Sequence, residues 1–307
     1  MTRRPLRALA LLPVVALLAA CGSSGAASNG AADPTVSVVA GFYPLQWAAE
    51  VVGGDRVSVT SLTSPGAEPH DLELTPQQVA AVTDAGLVLY VAEFQPALDD
   101  AIAQSPEAAV DVAAGLETLA PEEHAGEDHE GEKEASYDPH VWLDPTNMAA
   151  IVATVAQRLS SLDPAGASTY AANAAALEDR LTALDEQWRT GTATCTSRDL
   201  VVSHEAFGYL AKRYGFEQVG ISGLAPDTEP SPAKIAEVAD FVRANEVRTV
   251  YYETLVDPKV AQTVADETGA KTAVLDPLEG LAEGSTDDYI SVMEKNLQTV
   301  KDGQPCS

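Results

Sequence analysis

Short runs of β-branched residues alternate with longer amphipathic stretches along this chain. The segments VSVVAGF (36–42), RVSVTSL (56–62), LVLYVA (87–92), DLVVS (199–203), RTVYYE (248–253) and TAVL (272–275) read as strands. Such residues suit a pleated surface, and strands alternating with helical patterns build βαβ units and parallel sheets. Residues 165–190, AGASTYAANAAALEDRLTALDEQWRT, separate the first three strands from the last three. They carry Leu177, Leu181, Leu184 and Trp188 at spacings of four, three and four, with no Gly or Pro after Gly166. That periodicity predicts one long amphipathic helix. The fold class expected is α/β: two lobes, each a small parallel sheet flanked by helices, joined by a long rigid connecting helix. The expected boundaries are 35–163 for the N-terminal lobe, 164–190 for the connecting helix and 191–307 for the C-terminal lobe. No internal sequence repeat relates the halves.

The first twenty residues depart from this pattern. Arg3, Arg4 and Arg7 precede an apolar run from Ala8 to Leu18, and small residues lead to Cys21. Basic region, apolar region and small-residue site in that order predict a signal peptide over 1–20. The cysteine that follows resembles a bacterial lipobox, so Cys21 is the expected lipidation site and the cell membrane the expected anchorage. Residues 21–34, small and polar, read as a flexible tether. The working compartment is therefore expected to lie outside the cytoplasm.

Charge narrows the partners. The chain carries 18 Lys+Arg against 46 Asp+Glu, a net charge of −28, and removing residues 1–20 takes it to −31. A field of that sign repels phosphate and attracts cations, which excludes nucleic acid as a partner. Cys195 and Cys306 remain in an oxidising compartment, and one disulfide between them is the simple expectation, with free thiols or thiolate metal ligands as alternatives. Residues 121–136 form an acidic loop holding His124, Asp128 and His129. It reads as a solvated charge run or, alternatively, as a weak auxiliary metal site.

The remaining histidines sit elsewhere. His70 follows the strand at 56–62 and precedes a helix expected near Thr75 and Pro76; His140 precedes a helix expected around Pro145; His204 follows DLVVS; Asp276 follows TAVL. The crevice at the carboxyl ends of parallel strands is where α/β folds bind ligands. Three imidazoles and one carboxylate also form a set acceptable to Zn(II). Glu68, Asp138 and Glu253 are candidates by position to orient the imidazoles. Glu205 reads as a residue of a helix first turn. An anchored zinc hydrolase is a competing class, but no H-E-x-x-H is present, and four protein ligands would close the sphere that hydrolysis needs open; no enzymatic activity is expected.

The same residues carry a resemblance. FYPLQWAAEVVGGDRVSVTSL, PGAEPHDLELTPQQVAAVTDAGLVLY, DPHVWLDPTNM, SLDPAGASTYAANAAALEDRL, VVSHEAFGYLAKRYGF, EPSPAKIAEV and TAVLDPLEG resemble, in this order, the metal-binding lipoproteins of bacterial ABC importers for zinc and manganese, zinc-uptake type. The resemblance implies two α/β lobes with the metal buried between them, ligated by His70, His140, His204 and Asp276. It also implies a high-affinity zinc-binding protein, expected as a monomer, that delivers the ion to an ABC permease. Manganese carriers of this kind commonly place a glutamate at the third position; His204 matches the zinc type, leaving manganese import and a zinc-binding surface adhesin as alternatives. His-bearing acidic loops in zinc-type relatives are thought to capture or sense metal.

Overall fold

A computed structural model of the chain describes residues 36–121, 135–226 and 229–306. The signal-peptide and tether expectations, Cys21, and the auxiliary set His124, Asp128 and His129 lie outside these residues. Two four-stranded parallel sheets dominate. The first contains β1 (Val36–Ala40), β2 (Val57–Ser61), β3 (Leu87–Tyr90) and β4 (Ala109–Asp111), in the order β2-β1-β3-β4. The second contains β5 (Asp199–Val202), β6 (Glu217–Gly220), β7 (Thr249–Tyr252) and β8 (Lys271–Val274), in the order β6-β5-β7-β8. Sequence shows no repeat, yet the two halves share one strand order. All six strands expected from the β-branched runs are present. β4 and β6 were not foreseen, because AVD is too short and EQVG too polar to form an apolar run.

The helices are α1 (Tyr43–Gly53), α2 (Pro76–Asp84), α3 (Pro96–Gln104), α4 (Pro145–Leu162), α5 (Ala167–Thr192), α6 (Gly208–Tyr214), α7 (Pro232–Ala244), α8 (Lys259–Thr268) and α9 (Tyr289–Gly303). Proline opens α2 and α4, where its missing N–H is one that a helix start leaves unbonded anyway. Thr75 and Gln78 close a capping box on α2, and the Asp144 side chain accepts from the Thr146 N–H at the start of α4. No helix among the described residues is long and apolar enough to cross a membrane.

The connecting helix α5 has 26 residues, about 39 Å at 1.5 Å per residue. It buries Tyr170, Ala174, Leu177, Leu181, Leu184, Trp188 and Thr192 along one face. That face packs on α1, α4, α6 and α9, so one continuous apolar cluster runs from Val38 in β1 through Leu181 to Leu200 in β5 and Met293 in α9. Separate, smaller clusters lie under α2 and α3 and under α7 and α8. A core shared by both sheets resists large relative motion, since sliding them would expose buried apolar surface. Cys195, just past α5, is disulfide-bonded to Cys306, which ties the C-terminal segment to the start of β5.

Candidate metal centre

The carboxyl ends of both sheets face one crevice, and each contributes loops to it. In the first half, the loop after β2 carries His70. Buried Gln95 fastens that loop: its side-chain amide donates to the carbonyls of Pro69 and Gly41 and to the Thr63 hydroxyl. The Phe94 ring meets the His70 ring edge to face, with centroids 4.5 Å apart. His140 precedes a single 3-10 turn, Val141–Leu143, that runs into α4. In the second half, His204 follows β5 and Glu253 follows β7. His140 and His204 are fully buried, and the His70 side chain is 10% exposed.

The three imidazoles converge on Glu279, not on Asp276. Glu279 Oε1 lies 3.4 Å from His70 Nε2 and 3.2 Å from both His140 Nε2 and His204 Nε2. His70, His140, His204 and Glu279 form one group of potential ligand atoms, and Asp276 is outside it. The expectation for the carboxylate thus needs correction by three residues within the same LDPLEG segment. Asp276 has other work: its Oδ1 accepts from the Leu278 N–H at 2.8 Å and its Oδ2 from the Thr254 hydroxyl. Its backbone is gripped on both sides by the buried Asn296 amide, at 3.0 and 2.7 Å. Leu278 then takes φ +59°, a left-handed conformation unusual for a leucine, and the chain reverses so that Glu279 points into the crevice. The Trp142 indole N–H donates to the Pro277 carbonyl at 2.8 Å, linking this turn to the segment that bears His140.

Two carboxylates orient the imidazoles as position in the sequence suggested. Asp138 Oδ1 is 2.7 Å from His140 Nδ1 and also accepts the His140 backbone N–H at 2.9 Å. Glu253 Oε1 is 2.9 Å from His204 Nδ1. Nδ1–H donation to a carboxylate fixes the tautomer and turns the Nε2 lone pair inward. Gly208 permits the Asp138 contact, because a Cβ there would fall 2.6 Å from Asp138 Oδ2. Glu68 acts differently: its Oε1 accepts the His70 backbone N–H at 3.2 Å. Glu205 is buried, and α6 begins only at Gly208, so the helix-first-turn expectation fails; the Glu205 N–H donates instead to the Gly223 carbonyl.

Electrostatics show what the cluster does with no metal. Burial opposes charge on His204, but Glu253 and Glu279 outweigh it and hold its pKa well above the ordinary value. His140 is likewise raised, burial being overcome by Asp138 and Glu279. His70 is lowered by burial, against the pull of Glu279. Burial raises the Glu279 carboxyl, yet the facing imidazoles carry it well below the usual range. Glu68 is pushed up to about 9, by burial and then by Glu279. Protonation is thus favoured on His204, His140 and Glu68 and disfavoured on His70 and Glu279.

The geometry fits a tetrahedral ion. Ligand atoms at ~2.0 to ~2.1 Å from a central Zn(II) sit about 1.6 times that distance from one another, ~3.3 to ~3.4 Å. The three separations from Glu279 Oε1, 3.2, 3.2 and 3.4 Å, match three of the six edges of such a tetrahedron.

Comparison with known proteins gives the same direction. The family described as "Zinc-uptake complex component A periplasmic", ZnuA, matches residues 38–303. The chain is 36% identical over 302 residues to the high-affinity zinc uptake system protein ZnuA of Bacillus subtilis, covering 93% of each. It is 36% identical over 280 residues to the zinc-binding lipoprotein AdcA of Streptococcus pneumoniae, covering 88% of this chain and 56% of AdcA, so it spans about half of that relative's length. The Zn(II)-bound ZnuA-like domain of S. pneumoniae AdcA superposes with TM-score 0.74 at 33% identity, covering 88% of this chain and 98% of that one. On sequence, fold and the arrangement of its crevice, the chain belongs to the ZnuA family of zinc-uptake solute-binding proteins.

Proposed function

We propose that this chain is the extracytoplasmic zinc-binding component of an ABC importer. It holds one Zn(II) through Nε2 of His70, His140 and His204 and the carboxylate of Glu279, and passes it to a membrane permease. The observation that carries this reading is the convergence of three imidazole nitrogens on one carboxylate oxygen at separations of 3.2 to 3.4 Å. Three nitrogens and one carboxylate suit zinc, whereas an oxygen-richer set would suit manganese. Four protein ligands close the coordination sphere, so the site stores an ion and leaves no open position for hydrolysis. Lipidation at Cys21 would keep the protein beside its permease, and the two sheets with α5 between them would act as lobes of a monomer.

Metal content and competition titration of the mature protein test this reading. One tightly held zinc per chain, resistant to excess manganese and weakened at least about a hundredfold in His204→Ala, is the expected result. Equal competition by manganese would move the cargo to that metal, and no tight binding would remove the transport reading altogether.

A further inference from the structure

A second group of oxygens adjoins the histidines. Glu68, Glu253 and Glu279 each place a carboxylate oxygen within 4.8 Å of the other two. They come from three separate segments: the loop before α2, the end of β7 and the turn after β8. One oxygen of each is accounted for. Glu68 Oε1 meets the His70 N–H, Glu253 Oε1 accepts from the Ser203 hydroxyl at 2.6 Å and faces His204 Nδ1, and Glu279 Oε1 faces the imidazoles. The Oε2 atoms of all three are buried and meet no donor, although Glu253 and Glu279 are only 3% and 1% exposed.

Buried polar atoms in folded proteins are almost always partnered. Here the orphaned atoms are three carboxylate oxygens gathered in one place. A divalent cation would give all three orphaned oxygens a partner, and buried charge is tolerated only when it is balanced and coordinated.

We propose that Glu68, Glu253 and Glu279 form a second, oxygen-only position for a divalent cation, adjoining the histidine set and sharing Glu279 with it. A carboxylate bridging two metals a few ångströms apart is familiar chemistry for paired sites. Oxygen-only coordination selects hard cations of the Mn(II) and Ca(II) type. Glu68 is half-buried beside the exposed residues 64–67, while Glu253 and Glu279 are buried. This inference rests on the zinc-site reading only for the role of Glu279.

Zinc-loaded crystals of the mature protein soaked in Mn(II) chloride, with anomalous data at the zinc and manganese edges, test the two readings separately. The expected result is zinc among the histidines and a manganese peak at ~2.0 to ~2.6 Å from oxygens of Glu68, Glu253 and Glu279. In solution, electron paramagnetic resonance of the zinc-loaded protein should count one fewer bound Mn(II) per chain in Glu68→Gln. Zinc among the histidines with no manganese at the three carboxylates, or manganese only on surface acids, overturns the second position and leaves the zinc site standing. Manganese at the carboxylates with no zinc among the histidines would support the second position and overturn the zinc assignment instead.

Discussion

Zinc capture by this centre is expected to be strongly coupled to protons. The nitrogens that must offer bare lone pairs are those that the surrounding carboxylates favour in protonated form. His204 lies well above its ordinary pKa, because Glu253 and Glu279 overcome the effect of burial; His140 is also raised, and His70 is lowered by burial. A proton that must leave before metal binds weakens apparent affinity about tenfold per pH unit below the pKa of its site, ~1.4 kcal/mol per unit. Because His204 and His140 both lie above the ordinary imidazole value near 6.5, each contributes at least about a tenfold loss between pH 7.5 and 5.5, while His70, lowered by burial, contributes least. The combined fall is at least about a hundredfold, or ~2.7 kcal/mol. Competition against a chelator calibrated at each pH would measure it. Calorimetry in buffers of different ionisation heat should show net proton release on zinc binding near neutral pH. A change in affinity below tenfold across this window, or no net proton release, would refute the argument.

Other perturbations separate the parts of the centre. Glu279→Ala removes a ligand and should cost at least about a hundredfold in zinc affinity, whereas Asp276→Ala loosens the turn and should cost ~1 to ~3 kcal/mol of stability with a smaller effect on zinc. If Asp276→Ala were the more damaging to binding and left melting unchanged, the assignment of the carboxylate would reverse. Zinc-free protein should melt at a lower temperature at pH 8 than at pH 6. The stabilisation from His204 and His140 is complete below their unfolded pKa near 6.5 and disappears as pH rises through their raised folded values. Glu68, pushed up to about 9, works in the same direction, and a higher melting temperature at pH 8 would count against both. Replacing Cys195 and Cys306 by serine opens a link between residues 111 apart. Chain entropy puts the loss near ~4.7 kcal/mol by denaturant titration, within a usual range of ~2 to ~5, with zinc stoichiometry unchanged.

The parts of this protein that sequence revealed are those governed by local periodicity. Leu177, Leu181, Leu184 and Trp188 marked the buried stripe of α5 because a helix repeats every 3.6 residues whatever it packs against. The β-branched runs marked six strands for the same kind of reason, and AVD and EQVG escaped because a short strand can be held by its neighbours' hydrogen bonds alone. The three histidines and the Asp138 and Glu253 partners were legible because each lies just before or after an element whose position the pattern had already given. The fourth ligand was not, since Asp276 stands nearest the strand end and Glu279 reaches the crevice only through a reversal at Leu278. That reversal depends on Asn296, twenty residues away, and on Trp142, on the far side of the crevice. An aspartate whose carboxylate ends the turn and a glutamate presented by it are close to interchangeable as letters in a motif. Only the direction of the backbone between them decides which one meets the metal, and that direction is set by contacts distant in sequence.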